Sequence, residues 1–298
     1  MILRCLESIL AQTVRPHSLI VVDNNSTDDT QARIEEWIDN NCGKTEMVIS
    51  LLEEETPGAC AARNAGLKAV KSPYTLFFDS DDVMRVQLIE KAEEAIKKGN
   101  EPDLIVWQAE VISTDGRKYK KPFHTSALAY RQIYNSILST QQYLAKTTLF
   151  RRVGGWNNDA LIWNDWELGL RIVATNPSVE YIPEVLVTIY SQAESITGTS
   201  YHSKRGQRET TLRIIDDCLN QTTSPNNIHK EIRHALPYIA INIAAHYARE
   251  KTEEETYKSL KAYALSGATP IEKIKLRLLF HYLHLGGRAA YYLWALPH

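Results

Sequence analysis

The stretch Tyr74-Thr75-Leu76-Phe77-Phe78-Asp79-Ser80-Asp81-Asp82 decides the fold. Residues 74–78 are aromatic, branched or long apolar, which predicts a short buried strand. Three carboxylates in four positions follow it at once. Carboxylates emerging together repel unless something positive sits among them, and a hard cation such as Mg²⁺ or Mn²⁺, bridging them to phosphate oxygens, is one solution. The other is that Asp81 or Asp82 caps a helix beginning near Val86.

Reading outward, apolar residues at helical spacing open the chain and stop before Pro16, and residues 19–22 form a β-branched run ending at Asp23. After a polar loop over 24–30 come a helix through Ile34 and Ile38, a strand over 47–52, a helix over 59–70, the strand over 74–78, a helix over 86–98 and a strand over 104–107. This alternation predicts an α/β fold with a mostly parallel, doubly wound sheet, whose ligands gather at the carboxyl ends of strands, where Asp23 and Asp79 sit. From residue 203 only helical patterns remain, over 205–220, 227–250, 253–265 and 271–296, so the expected division is 1–202 and a helical extension over 203–298.

A chain of 298 residues, 44% apolar and 23% charged, buries one large core and has room for a small second unit. A net charge of -2 and a pI near 6.5 exclude the broad basic footprint of a nucleic-acid binder. Cys5, Cys42, Cys60 and Cys218 lack CxxC spacing, which predicts a reducing compartment, and no leader pattern precedes the first helix, so a cytoplasmic location is expected.

Three further clusters carry chemistry. In Asp23-Asn24-Asn25-Ser26-Thr27-Asp28-Asp29, Asp23 stands at a strand tip where a carboxylate accepts hydrogen bonds from a base or ribose, while Ser26 and Asp29 have capping-box spacing. Gly58 to Gly66 combines small residues at a helix start with Arg63, which can grip a phosphate or an acid. Gly154-Gly155-Trp156 precedes Trp163-Asn164-Asp165-Trp166-Glu167, where Trp163 or Trp166 can stack on a sugar face and Asp165 can act as a general base. The structural alternative has Asn164 as an N-cap, the acids at the helix dipole and both tryptophans in the core. Neither GxGxxG nor GxxxxGK[ST] occurs.

In this order, D-x-x-S-x-D, G-x-x-x-A-R-N-x-G, F-F-D-x-D-D, then G-G-W and N-D-W-E-L-x-L-R, the clusters resemble family 2 glycosyltransferases of the GT-A fold over about residues 1–200. The resemblance implies inverting transfer from a nucleotide-diphosphate sugar to a hydroxyl of a glycan or lipid-linked acceptor, in cell-surface polysaccharide synthesis. It implies that Asp23 contacts the base, with Asn25, Arg63, Asp79 and Ser80 lining the donor side. Asp79 and Asp81 handle ribose and Mg²⁺ or Mn²⁺, with Asp82 a second candidate ligand. Asp165 is the implied base, and Trp163, Trp166 and Glu167 the implied acceptor or sugar contacts.

Family members begin with a further strand, whereas this chain opens in the helix that follows it. Asn164-Asp165 replaces the usual Glu-Asp pair, and Gln192, in the closing-loop-like stretch Tyr190 to Thr197, stands where a His is common. Competing readings are a non-catalytic sugar-nucleotide binder or scaffold and a nucleotidyltransferase. The stretch over 271–298 mixes basic, aromatic and long apolar residues, which predicts either peripheral contact with the inner face of the plasma membrane or packing on the catalytic domain. His281 and His284, at i and i+3, are a metal pair or a packing pair.

Overall fold

A computed structural model describes residues 1–123, 125–192, 206–222, 225–251 and 254–287. The strands are β1 (Ser18–Asp23), β2 (Val48–Glu53), β3 (Tyr74–Thr75), β4 (Val83–Met84), β5 (Leu104–Ile112), β6 (Lys118–Lys121), β7 (Tyr143–Lys146) and β8 (Val179–Tyr190). The helices are α1 (Ile2–Leu10), α2 (Thr30–Asn41), α3 (Ala59–Ala69), α4 (Leu88–Lys98), α5 (Leu128–Asn135), α6 (Thr147–Arg152), α7 (Asn164–Ala174), α8 (Gln207–Gln221), α9 (Asn227–Arg249), α10 (Glu254–Ser266) and α11 (Pro270–His284).

Two compact units interleave along the chain. Met1–Ser126, Ile137–Asn158 and Thr175–Ser195 form the first, and Ala127–Ser136, Asp159–Ala174 and Ile196–His298 the second. The expected break between 202 and 203 is therefore replaced by several crossings. The reason lies in α5 and α7, which pack on each other and on α9, so the segment carrying Asp165 groups with the helices.

In the first unit β1 and β2 pair in parallel, with Ser18 opposite Val48 and Asp23 opposite Glu53. A second sheet has the order β3-β7-β5-β8-β4, with β6 added on β5. Here β5 and β8 run parallel, while β3–β7, β5–β7, β5–β6 and β4–β8 are antiparallel. The expectation of a mostly parallel sheet is thus corrected to a mixed one. Short strands such as β4, β6 and β7 leave little hydropathy pattern, and of the antiparallel pairs only β5–β6 is a local hairpin, the others joining segments far apart in the chain.

One core runs through both sheets: Cys5 and Ile9 of α1, Met47, Met84, Leu88, Ile105 and Trp107 are buried together, with Leu19, Ile49, Leu76 and Phe78 packed on them. Alternate residues of β1 turn their backbone to β2, as shown by the His17 carbonyl bonding Val48 N at 3.1 Å and the Asp23 carbonyl bonding Glu54 N at 2.9 Å. Ser18, Ile20 and Val22 consequently direct theirs to the other edge, where among the described residues no strand pairs.

In the second unit α9 is central, burying Ile232, Leu236, Ile239, Ile243 and Tyr247 among others. Capping boxes set two helix starts, Asn226 with His229 for α9 and Thr269 with Glu272, ahead of Pro270, for α11. The helix expected over 271–296 is described to His284, and residues 288–298 lie outside the described residues. Of the histidine pair, His284 stacks on Phe280 at 6.0 Å, the packing alternative. Among the described residues no helix is long and apolar enough to cross a membrane.

Candidate functional site

In the first unit the acids at 79–82 leave the end of the Tyr74–Phe78 run, of which only Tyr74–Thr75 is a ladder strand. Their helix-capping alternative is excluded, because α4 begins at Leu88 with Gln87 at its N-cap. Each carboxylate has a different environment. Asp79 accepts from Arg63 Nη2 at 2.7 Å and from Gln141 Nε2 at 2.7 Å. Asp82 is 1% exposed and accepts from Tyr190 N at 2.9 Å and from Gln141 Nε2. Burial is the main reason that its carboxyl is pushed up to about 7, with the charges of Asp81 and Asp79 adding to it.

Asp81 is half-buried, with burial and then Asp79 raising its pKa and a hydrogen bond from Gln192 opposing them. Its backbone carbonyl accepts from Arg4, whose guanidinium lies 3.8 Å over the Tyr190 ring. Beneath the cluster, buried Cys5 donates to the Asp79 carbonyl at 3.6 Å, and burial followed by the three acids pushes its thiol up to about 12. Among the described residues no three His, Cys, Asp or Glu side chains converge as a metal site.

Asp23 is 7% exposed and accepts from Ser26 N at 3.2 Å. The capping-box expectation for Ser26 and Asp29 is corrected: α2 has Asp29 at its N-cap with no side-chain cap bond, and the loop is tied by Asp23 instead. Asn24 and Asn25 join this loop to the chain after β2. Asn24 Nδ2 donates to the Glu54 and Thr56 carbonyls at 2.6 and 2.8 Å, while its Oδ1 accepts from Gly58 N at 2.7 Å. Asn25, at φ 59°, donates to the Glu55 carbonyl at 2.7 Å, so its amide serves the loop. Ser80 is exposed.

Arg63 sits 4.4 Å beneath the Trp156 ring, and the next residue fixes that ring's backbone. Asn64 Nδ2 donates to the Trp156 carbonyl at 2.8 Å, and Trp156 N donates to Asn64 Oδ1 at 2.9 Å. Gly155, at φ +69°, is required here, since a Cβ would lie 2.7 Å from Asn64 Oδ1. Asn64→Ala strips partners from two backbone groups, and urea unfolding is expected to show a loss of about 1–3 kcal/mol. Unchanged stability would show that the clamp contributes nothing.

In the second unit Asp165 stands half-buried in the first turn of α7. Gln132, 0% exposed, donates to the Asp165 and Trp166 carbonyls at 3.3 and 3.2 Å. Trp163 precedes the helix at φ 57°, a conformation that a bulky residue keeps only where its surroundings over-determine it, at a cost of about 1–3 kcal/mol. The surroundings are Arg208, 5.5 Å over its ring, Trp166 at 5.7 Å, and Thr211, whose hydroxyl donates to the Ile162 carbonyl at 2.9 Å. Asn164 lies inside the helix rather than at its cap.

Two expected sugar contacts are corrected. Trp166 is 6% exposed and donates to the Ile133 carbonyl at 2.8 Å, and Glu167 is 0% exposed and paired with Arg171. Both lie in the first turn of α7 and are buried. Trp163 is the half-exposed aromatic of the group. Residues that sequence reading missed are Arg4, Asn64, Gln132, Gln141 and Tyr190. The buried run Ser139-Thr140-Gln141-Gln142 was a signal for Gln141, being polar without the glycine or proline of a turn. The expected closing loop beyond Gln192 lies outside the described residues.

The first unit has acids at strand ends with a guanidinium on one of them, the second has a half-buried aspartate opening a helix, and the fold is that of a GT-A glycosyltransferase. The chain belongs to glycosyl transferase family 2, whose family model matches residues 1–155. It is 26% identical over 212 residues to an uncharacterized glycosyltransferase, YwdF, of Bacillus subtilis, covering 68% of this chain and 74% of that protein. Over 76 residues it is 40% identical to the Escherichia coli UDP-Glc:alpha-D-GlcNAc-diphosphoundecaprenol beta-1,3-glucosyltransferase WfaP, covering 26% of this chain and 28% of that one. Its fold is similar to that of the mannosyltransferase PcManGT from Pyrobaculum calidifontis in complex with GDP-Man and Mn²⁺, with a TM-score of 0.57 and 17% identity, over 99% of this chain and 81% of that one.

Proposed function

We propose that the chain transfers a sugar from a nucleotide-diphosphate donor to an acceptor hydroxyl with inversion, in the assembly of a cell-surface glycan. The observation carrying this reading is the division of labour among the acids. Asp79, half-buried, is occupied by Arg63 and Gln141, Asp82 is buried under Gln141 and Tyr190, and Asp81, also half-buried, has the Gln192 amide as its neighbour and no guanidinium on its carboxylate. Asp81, with Asp79 as neighbour, holds Mg²⁺ or Mn²⁺, and Asp82 is a supporting post rather than a ligand. When bound, the cation supplies positive charge against the departing diphosphate.

Asp23 receives the base and Arg63 orients the phosphate side through Asp79. Asp165 takes the acceptor proton as the oxygen attacks the anomeric carbon. Trp163 offers an apolar ring to a sugar face. The Mn²⁺ and GDP-Man of the fold relative, and the UDP-Glc and diphosphoundecaprenol in the name of the other relative, agree with this donor class and with a lipid-linked acceptor.

Calorimetry with UDP and with GDP, each with and without Mn²⁺, tests the donor half. Affinity for one of them is expected to rise with Mn²⁺. Asp81→Asn is expected to lower the Mn²⁺-dependent affinity by at least about 10- to 100-fold, the range seen for groups that support metal ligands, while leaving the metal-free affinity in place. Nucleotide binding that ignores both Mn²⁺ and Asp81→Asn would overturn the metal assignment.

A further inference from the structure

In the first unit α1 runs beside the acid turn and is tied to it. Leu6 and Ile9 anchor the helix in the core, 1% and 4% exposed. Cys5 Sγ donates to the Asp79 carbonyl at 3.6 Å, Ser8 Oγ accepts from Met84 N at 3.1 Å and, just past the helix, Gln12 Nε2 donates to the Arg85 carbonyl at 2.9 Å. These ties keep residues 5–12 in register with residues 79–85, and Arg4 stands at the end of the row.

Among the described residues two guanidiniums touch the acid turn, and they are used differently. Arg63 spends its charge on the Asp79 carboxylate and is 15% exposed. Arg4 is exposed, donates through Nη2 to the Asp81 backbone carbonyl and lies 3.8 Å over the Tyr190 ring. A cation placed only to offset the acids gains most on a carboxylate, as Arg63 does. Arg4 takes none: burial and Asp79 raise the Asp81 carboxyl, and Arg4 is the weakest of the groups that oppose them. Its other N–H groups have no hydrogen-bond partner among the described residues.

A guanidinium held by one N–H and by one face against a ring has little freedom left to lose on binding, and the rest of its fork matches two oxygens of a phosphate. The carboxylates around it repel phosphate, so a diphosphate that settles against this turn needs unspent positive charge from its surroundings.

We propose that Arg4 binds the diphosphate of the nucleotide-sugar donor, with Tyr190 as the platform that holds its guanidinium. This role rests on the donor site proposed above.

Calorimetry of the full chain in Mn²⁺, with UDP against uridine and GDP against guanosine, separates the phosphate contact from the base. Arg4→Gln is expected to lower affinity for the diphosphate that the parent binds by at least about ten-fold, the worth of a hydrogen bond to a charged group, and to leave affinity for the matching nucleoside unchanged. Arg4→Lys keeps the charge but loses the fork, and its diphosphate affinity is expected to fall between those of the parent and Arg4→Gln. Urea unfolding of both variants is expected within about 1 kcal/mol of the parent, since an exposed cation–π contact is worth no more. The role of Arg4 is overturned by undiminished diphosphate affinity in Arg4→Gln, or by a loss that falls equally on nucleoside and diphosphate, as a distorted pocket would give. A parent that binds neither UDP nor GDP overturns the donor site itself, and the role of Arg4 with it.

Discussion

Asp165→Asn is expected to lower sugar transfer by about 10²- to 10⁴-fold, the contribution of a positioned general base, while affinity for UDP or GDP with Mn²⁺ stays at the parent value. The substitution keeps shape and most hydrogen-bonding capacity and removes the ability to take a proton. The position is well supported: Gln132 holds the Asp165 and Trp166 carbonyls, and Thr211 fixes the carbonyl of Ile162, three residues earlier. Loss of fold is therefore not the expected outcome. Single-turnover transfer with a competent donor and acceptor reads the chemical step, and near-parental transfer by Asp165→Asn would remove Asp165 from the mechanism.

The second large effect falls on stability. Glu167 is 0% exposed, and Arg171, one turn along α7, donates from Nε to Oε1 at 2.6 Å and from Nη2 to Oε2 at 2.5 Å. Two parallel charge-assisted bonds satisfy both oxygens of a carboxylate that has no water to turn to. Arg171→Met leaves that carboxylate buried and uncompensated, and the expected loss is about 3–5 kcal/mol in urea unfolding. Replacing both partners, Glu167→Met with Arg171→Met, is expected to recover most of the loss, since the penalty belongs to the orphaned charge rather than to the missing bond. A loss from Arg171→Met alone of under about 0.5 kcal/mol, the range of an ordinary surface change, would show that the pair is not buried as described.

How far the sequence led differs by feature. The helices and strands of the first hundred residues were legible because each combines a clear period with a turn signal, as in Leu19 to Val22 before Asp23. The strand over 74–78 was legible too, although only Tyr74–Thr75 of it pairs, while the two-residue β4 and the antiparallel returns of β6 and β7 were not, because ladders of that length are set by neighbours rather than by pattern. The acids of the candidate site were visible as a cluster, but their separate roles were not. What distinguishes Asp82 from Asp81 is Gln141 and the Tyr190 amide, which lie 59 and 108 residues away from Asp82. Trp166 and Glu167 were misplaced for a related reason: polarity and stacking capacity were read from residue type, while the inward turn of α7 decided their exposure.

The unpaired edge of β1 bears on how the protein behaves in a test tube. Ser18, Ile20 and Val22 aim their amides and carbonyls at a margin with no ladder partner among the described residues, and the flanking side chains are aliphatic. An open margin of this kind is a template for any extended segment that meets it, including the same strand of another molecule or the strand of an unfolded neighbour. Self-association of this chain at high concentration is therefore expected to start at the β1 margin, and a charged residue in place of Ile20 is expected to suppress it in light scattering.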